Sequence, residues 1–288
     1  MEPKRKILVT GSNGQLGQEI GERAKQIPNV HFVFTDRNDM PLDDPEKINQ
    51  VLLREQPDVV INCAAYTAVD AAEQNIDIAF QVNATAVGQI AGICHQLGCR
   101  FLHVSTDYVF NGKSSHPYSV TDSCDPINVY GASKRKGEEL ALAHHPESII
   151  IRTSWVYSRF GKNFVKTIAH LLRTRSEIRV VNDQIGSPTS AADLAEALCV
   201  MALLPSVKAG IYHFTNDGVI SWYDFAMAIK EFLHTSCVIH PVPSSEYPTP
   251  AARPAYSVLD TRLLHHECPM ITRKHWKASL ETCLAQIP

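Results

Sequence analysis

Tyr130 and Lys134 stand four positions apart in "YGASK". A helix through them puts the phenol and the ammonium on one face, one turn apart. A phenol with an ordinary pKa near ~10 is a poor proton donor to a carbonyl at neutral pH. A neighbouring ammonium stabilises the phenolate and lowers that pKa. A lowering of two to three units corresponds to roughly 3–4 kcal/mol of differential stabilisation. The pair therefore reads as a proton donor with its activator. The same spacing recurs by chance in many helices, so its weight depends on what converges on it.

"RFLHVSTDYVF" (Arg100–Phe110) supplies a candidate for that convergence. An apolar run with β character ends abruptly in Ser105-Thr106-Asp107. A carbonyl that receives a proton from a phenol needs a second hydrogen-bond donor to polarise and orient it. Thr106 is the expected donor. Ser105 reads either as the end of the strand or as a second lining group.

Gly11, Gly14 and Gly17 form a GxxGxxG between the strand "KILVT" and a stretch in which Leu16, Ile20 and Ala24 follow a helix period. Glycine suits a tight turn that lets backbone approach a pyrophosphate at a helix N-terminus. Placed after the first strand, the triplet predicts a dinucleotide site. Asp36 closes the second strand, where a carboxylate accepts hydrogen bonds from ribose hydroxyls and repels a 2′-phosphate, which favours NADH. Arg37 is adjacent and suits a phosphate, so NADPH stays open. Ala64 and Ala65 in "CAAY" end the third strand and leave room for a nicotinamide ribose, which Lys134 can also hold.

The elements that must position these residues alternate. "HFVFTD" reads as a strand, and "LDDPEKINQVLLREQ" as a helix with Asp43 or Asp44 as N-cap and Pro45 at its first position. "DVVINCAA" is a third strand, apolar without alternation as in a covered parallel sheet. A helix is expected from about Ile76 to Leu97, closed by Gly98. "RFLHVS" is a fourth strand, Val129–His145 a helix and Ser148–Tyr157 a fifth strand. The fold class is α/β: a Rossmann-type doubly wound parallel sheet with a smaller C-terminal α+β substrate-binding region. Residues 1–153 are expected to form the dinucleotide domain, completed by about 177–204, with 154–176 and 205–288 as the substrate region. In that second part, helices are expected at about Phe160–Arg173 and after Ser221 as N-cap. Pro241–Pro254 reads as a surface loop.

At 288 residues, with 44% hydrophobic and 20% charged, the chain can bury a core of one large or two smaller domains. A net charge of −3 gives no reason to expect nucleic acid or a membrane surface as partner. No apolar run approaches the ~18 residues of a membrane span. "MEPKRK" is followed by too short an apolar stretch for a signal peptide, so a cytoplasmic location is expected. The eight cysteines show no zinc spacing and read as buried thiols. The pairs His144-His145 and His265-His266 read as solvated surface.

The Ser/Thr–Tyr–Lys set resembles the short-chain dehydrogenase/reductase family, and the glycine spacing is that of its extended branch. "GSNGQLG", "NCAAYTAVDAAE", "STDYVFNG", "NVYGASKRKGE", "RTSWVY", "NFVKT", "NDQIGSPT" and "YPTPAARP" follow in order over almost the whole length. Together they resemble the dTDP-4-dehydrorhamnose reductases. The resemblance implies reduction of the C4 keto group of dTDP-4-dehydro-L-rhamnose to dTDP-L-rhamnose, for polymers such as O-antigen. It implies Tyr130 as proton donor, with Lys134 and Thr106 assisting. It places the cofactor against Gly11, Asn13, Gly14, Gln15 and Leu16, and against Asp36, Arg37, Leu42 and Asp43. Ala64, Ala65, Tyr66 and Asn83 complete that implied set with Tyr130 and Lys134. Asp107, Phe110 and Trp155 are implied to line the sugar pocket beside Thr106, and Arg253 to meet the pyrophosphate. Lys166 is a weaker candidate, and Trp155 reads equally as a core aromatic.

Departures limit the resemblance. Ala71 stands where members often carry lysine in "AVDKAE", so Asp70 and Glu73 read as a helix cap pair. Pro41 before Leu42 replaces a polar residue of some members. Some members use Mg²⁺ held by glutamates between subunits; Glu19 fits one such position, but Ala192 replaces the second, with Asp193 beside it. No metal site is expected, and the chain is expected to act as a monomer or homodimer. Competing readings are a nucleotide-sugar epimerase or dehydratase, and a non-catalytic dinucleotide-binding regulatory subunit of the methionine adenosyltransferase type. A dehydratase would add an acidic pair after the Thr, where only Asp107 follows. The Tyr130/Lys134 pair and the short stretch before the first strand favour the enzyme over the regulatory subunit.

Overall fold

The structure is a computed structural model that describes residues 5–287. Residues 1–4, most of the charged start considered above, and residue 288 lie outside the described residues.

Six parallel strands form the central sheet: β1 (Arg5–Thr10), β2 (Val30–Thr35), β3 (Val59–Asn62), β4 (Arg100–Thr106), β5 (Ile149–Thr153) and β6 (Gly210–His213). Their spatial order is β6-β5-β4-β3-β1-β2, so the order reverses between β1 and β3. That switch point opens a crevice at the carboxyl ends, where doubly wound sheets bind ligands. Val59, Val60 and Ile61 are fully buried in succession, because helices cover both faces. One layer holds α1 (Gln15–Ala24) and packs Ile20 on Ile7 and Val9 with Leu194 and Leu198 of the helix Ala191–Leu203. The other holds α2 (Pro45–Glu55), α3 (Ala86–Leu97) and α4 (Val129–His144), closing over Leu8, Val60 and Phe101.

Local chemistry sets the boundaries. Asp44 caps α2 by accepting from the amides of Glu46 and Lys47, with Pro45 at the first helical position. Gly98 ends α3 at φ 64°. Ser221 and Asp224 form a capping box ahead of the helix Trp222–Leu233.

Several expected boundaries shift. The helix expected over Ile76–Leu97 is interrupted by a π turn at Gln81–Thr85 between Ile76–Phe80 and α3. This turn contains Asn83, whose side chain accepts from the Tyr66 amide at 2.8 Å and donates to the Tyr66 carbonyl at 3.0 Å. The fifth strand stops at Thr153, since Trp155 takes φ 49°, and resumes only as Val156–Tyr157. The helix expected from Phe160 begins at Phe164, because Asn163 caps it by accepting from the Lys166 amide.

The strand Glu177–Val181 does not complete the main sheet. It pairs in parallel with Val238–Val242, and Gly210–His213 occupies the sheet edge beside β5 instead. The two-stranded unit borders a separate core of Tyr157, Val165, Ile168, Phe225, Ile239 and Trp276. Pro241 and Val242 belong to its strand and Ala251 is fully buried, so the proline-rich loop is anchored at both ends. All eight cysteines are free thiols. His145 is not solvated: it is buried, with Nε2 3.0 Å from the Cys99 carbonyl. His265 is half-buried against the Ile271 carbonyl, and His266 is exposed.

Candidate active site

A cleft of about 770 Å³ opens at the switch point. Its walls carry Gly11, Asn13, Gly14, Gln15 and Leu16 from the first turn, and Asp36, Arg37, Leu42 and Asp43 from the ends of β2 and the loop before α2. Ala64, Ala65 and Tyr66 follow β3, while Thr106, Asp107, Tyr130, Lys134 and Trp155 close the far side. Nearly every residue expected from the sequence thus lies on one surface.

The glycine turn is built for close backbone approach. Gly11 has φ +67°, and a Cβ there would come 2.8 Å from the Ala64 amide nitrogen. An L side chain is excluded on both counts. Gly14 is the N-cap of α1, with no side-chain cap bond to its amides, and the dipole of the helix points its positive end into the cleft. A dinucleotide fits this cradle, with its pyrophosphate at the turn. Asp36 accepts from the amides of Asn38 and Asp39 and from Asn13 Nδ2. The two backbone bonds hold its carboxyl below the usual range, leaving an anion at the rim. Arg37 is exposed, and its guanidinium lies 3.5 Å from Asp43.

Tyr130 and Lys134 lie one turn apart on α4, as expected. Asn128 caps this helix by accepting from the Gly131 amide at 2.7 Å, and Glu73 accepts from the Val129 amide at 2.9 Å. Asp70 takes the Arg253 guanidinium at 3.0 and 2.8 Å and the Ala251 amide at 3.1 Å. Asp70 and Glu73 are therefore not a cap pair: one holds α4 and the other holds the proline-rich loop. A Cβ at Gly137 would sit 2.0 Å from the Asn83 carbonyl, so only glycine lets α4 seat against the π turn.

The electrostatics depart from the simple activator picture. Burial pushes the Tyr130 phenol up to about 12, opposed by a hydrogen bond with Thr106. The Lys134 ammonium does not lower it here. Nζ is turned to the Val104 carbonyl at 2.6 Å and to His103 Nε2 at 3.2 Å. Burial lowers Lys134 to about 8. Thr106 Oγ1 donates to Asp107 Oδ1 at 3.0 Å and accepts from the Tyr108 amide. Asp107 is 2% exposed, its Oδ2 has no partner, and burial raises its carboxyl to about 7.

Three expected ligand residues do not line the cleft. Phe110 is fully buried, stacked on Tyr118 with ring centroids 4.1 Å apart, because the chain turns inward after Val109. Asn83 is also fully buried and supports the Tyr66 backbone rather than the cleft surface. Arg253 stays outside the lining through its bond to Asp70, although its charge reaches Tyr108 on the wall. Lys166 Nζ is spent on the Arg159 carbonyl at 3.1 Å. Trp155 lines the cleft and is also packed, stacked on Trp222 with centroids 3.6 Å apart.

Asn163 and Trp222 also stand on the wall, and neither is among the residues expected there from the sequence. Asn163 Nδ2 donates to Gln15 Oε1 at 2.8 Å and so ties the second region to the glycine turn. Its cap position before Phe164 was the available signal; Trp222 carried none. Within the chain, Glu19 and Asp193 are engaged separately. Glu19 accepts from Ser158 at 2.6 Å, and Asp193 is held by Lys274, Asn216 and Ser279. Among the described residues no cluster of His, Cys, Asp or Glu could hold a metal ion, and no helix is long and apolar enough to cross a membrane.

The chain is similar to known proteins along almost its whole length. SpsK, a spore coat polysaccharide biosynthesis protein of Bacillus subtilis, is 43% identical over 281 residues, covering 98% of this chain and 97% of that protein. The dTDP-4-dehydrorhamnose reductase of Mycobacterium tuberculosis is 39% identical, with 97% of this chain and 92% of that protein covered. A crystal structure of a dTDP-4-dehydrorhamnose reductase from Clostridium acetobutylicum matches with TM-score 0.92 and 38% identity over 97% of this chain and 98% of that one. The enzyme of that name from Bacillus anthracis, solved in complex with NADP, matches with TM-score 0.91 and 36% identity over 98% and 99%. With the RmlD substrate binding domain matched over residues 5–288, the chain belongs to that family.

Proposed function

We propose that this chain is a dTDP-4-dehydrorhamnose reductase, reducing the C4 keto group of dTDP-4-dehydro-L-rhamnose to give dTDP-L-rhamnose. The convergence of Thr106, Tyr130 and Lys134 on the cleft that holds the glycine turn carries this reading. Its relatives' names support the substrate, and the NADP complex of one relative supports the cofactor.

NADH or NADPH would lie along Gly11–Leu16, with its adenosine end at Asp36, Arg37, Leu42 and Asp43. Its nicotinamide end would lie at Ala64, Ala65 and Tyr66, near Lys134. When bound, the cofactor supplies the hydride that reduces C4. Tyr130 gives its phenolic proton to the sugar oxygen, and Thr106 orients that oxygen and eases the phenol's ionisation. Lys134 steadies the resulting phenolate when charged. Asp107 and Trp155 flank the sugar. In this reading residues 1–153 carry the cofactor, 154–176 and 205–288 contribute the sugar side, and β6 is the segment of the second part that joins the sheet.

The test mixes purified protein with NADH or NADPH and the dTDP-4-keto sugar and follows absorbance of the reduced nicotinamide. Consumption is expected with at least one cofactor. Clear cofactor binding with no consumption of either would sink the reductase reading and favour a binding subunit.

A further inference from the structure

A buried polar row crosses three strands behind the cleft. Thr10, Asn62 and His103 are in register on β1, β3 and β4, and none is more than 1% exposed. The Ala64 amide donates to Thr10 Oγ1 at 3.1 Å, and Thr10 donates to Asn62 Oδ1 at 2.5 Å. Asn62 Nδ2 lies 3.0 Å from His103 Nδ1, and His103 Nε2 lies 3.2 Å from Lys134 Nζ. Nζ donates to the Val104 carbonyl.

The row starts at a backbone N–H, which can only donate, and the arrangement observed runs in one direction from it. The Thr10 hydroxyl accepts from that amide and places its own proton on Asn62 Oδ1. In this arrangement Asn62 presents Nδ2–H to His103 Nδ1, which is then unprotonated. The neutral ring carries its proton on Nε2 and donates it to Lys134, which can accept only as a neutral amine. An ammonium at Lys134 requires the reverse: Nζ–H to Nε2, a proton on Nδ1, and Asn62 turned to offer Oδ1. Converting one state to the other adds one proton to the Lys134–His103 pair and leaves the ring neutral.

We infer that His103 is a positioning residue for Lys134, its tautomer set by Asn62 and coupled to the charge on the lysine. The inference rests on the reductase reading, in which Lys134 acts as a cation beside Tyr130. The other groups facing Lys134 are Glu138, one turn along α4, whose carboxylate favours its charge, and Cys63, at the end of β3, whose thiol burial keeps protonated. Burial, and then the Lys134 charge, hold the His103 ring well below the imidazole range, so the ring switches tautomer rather than charging.

The test is a titration of ¹⁵N-labelled wild-type protein from about pH 6 to 9, covering the range between ordinary His and Lys values. Long-range nitrogen correlations report the His103 ring, assigned against His103→Gln. The expected result is Nε2–H at high pH and Nδ1–H at low pH, with one midpoint that matches the basic limb of kcat/KM. His103→Gln offers Oε1 to the ammonium, and should move that limb up by about one pH unit with melting temperature checked in parallel. A ring fixed in one tautomer, an imidazolium, or an unmoved limb in folded His103→Gln would overturn the inference. If wild type consumes neither reduced cofactor, the reductase reading fails, while the ring titration still decides the coupling.

Discussion

Glu138 and Arg152 form a two-bond ion pair sealed from water, with Arg152 Nε 2.9 Å and Nη2 2.7 Å from the two carboxylate oxygens. Their side chains are 0% and 1% exposed. Burial alone would raise the Glu138 carboxyl, yet Arg152 and Ser105 hold it below its ordinary value. Ser105 Oγ donates to the same carboxylate at 2.6 Å, so the residue before Thr106 is pinned to α4. The pair thereby fixes the spacing between the strand end that carries Thr106 and the helix that carries Tyr130.

Removing Arg152 takes away both of its bonds and leaves the buried Glu138 carboxylate with Ser105 and the half-buried Arg135, whose Nη1 lies 3.1 Å from Oε2. Arg152→Leu should lose about 3–5 kcal/mol of stability, read from the midpoint of urea unfolding. Replacing Glu138 and Arg152 together with Gln and Leu should recover much of that loss. A double variant as unstable as the single one would show that the pair is not the source.

Asp107 gives stability a specific pH dependence. Its carboxyl is raised from an unfolded value near 3.8 to about 7. Between those values the folded state binds more protons than the unfolded one, so stability falls as pH rises through the window. Asp107→Asn removes this slope. The variant should gain on wild type from pH ~4 to ~7 by up to about 4 kcal/mol, then run parallel above it. Thermal or urea unfolding at several pH values measures the gap; a constant difference would remove Asp107 as the cause.

Tyr130→Phe keeps the ring and its edge-to-face contact with Tyr108, whose centroid lies 5.7 Å away, and deletes only the proton. Turnover should fall by roughly 10²–10⁴-fold, the range of a general acid, with cofactor affinity unchanged. Thr106→Val should lose less, about tenfold, as befits one neutral hydrogen bond. Steady-state rates and cofactor titration of both variants check this, and near-full activity in Tyr130→Phe would assign the proton elsewhere.

Periodicity and punctuation made the sheet legible. Strands β1 to β5 appear as apolar runs, and Asp44, Gly98 and Ser221 each do the capping their type and position imply. The glycine turn, Thr106, Tyr130 and Lys134 were legible because each follows a recognisable strand end or helix face. What was hidden depends on long-range partners. Gly210–His213 and Glu177–Val181 are both short β-rich segments, and only the paired edges decide which joins the sheet. Phe110 looked like pocket lining because nothing local reveals Tyr118 beneath it. Asp70 looked like a cap because Arg253, its partner, lies 183 positions away.

That last partnership bears on substrate binding. Asp70 fixes Arg253 and the Ala251 amide together, so the guanidinium is held in one anchored geometry beside the cleft, where its charge is felt at Tyr108. The family resemblance implies that Arg253 meets the pyrophosphate of the nucleotide sugar, a contact that as a charged hydrogen bond would be worth about 1.5–3 kcal/mol. Arg253→Met should then raise KM for the sugar nucleotide by roughly 10- to 100-fold with kcat little changed. Asp70→Asn keeps the guanidinium but loosens its hold, and should raise KM less, while leaving cofactor affinity untouched. Steady-state kinetics separate the two effects. If Arg253→Met left KM unchanged and only lowered the melting temperature, Arg253 would be a strut for the loop, and the pyrophosphate would have to be met by another cation.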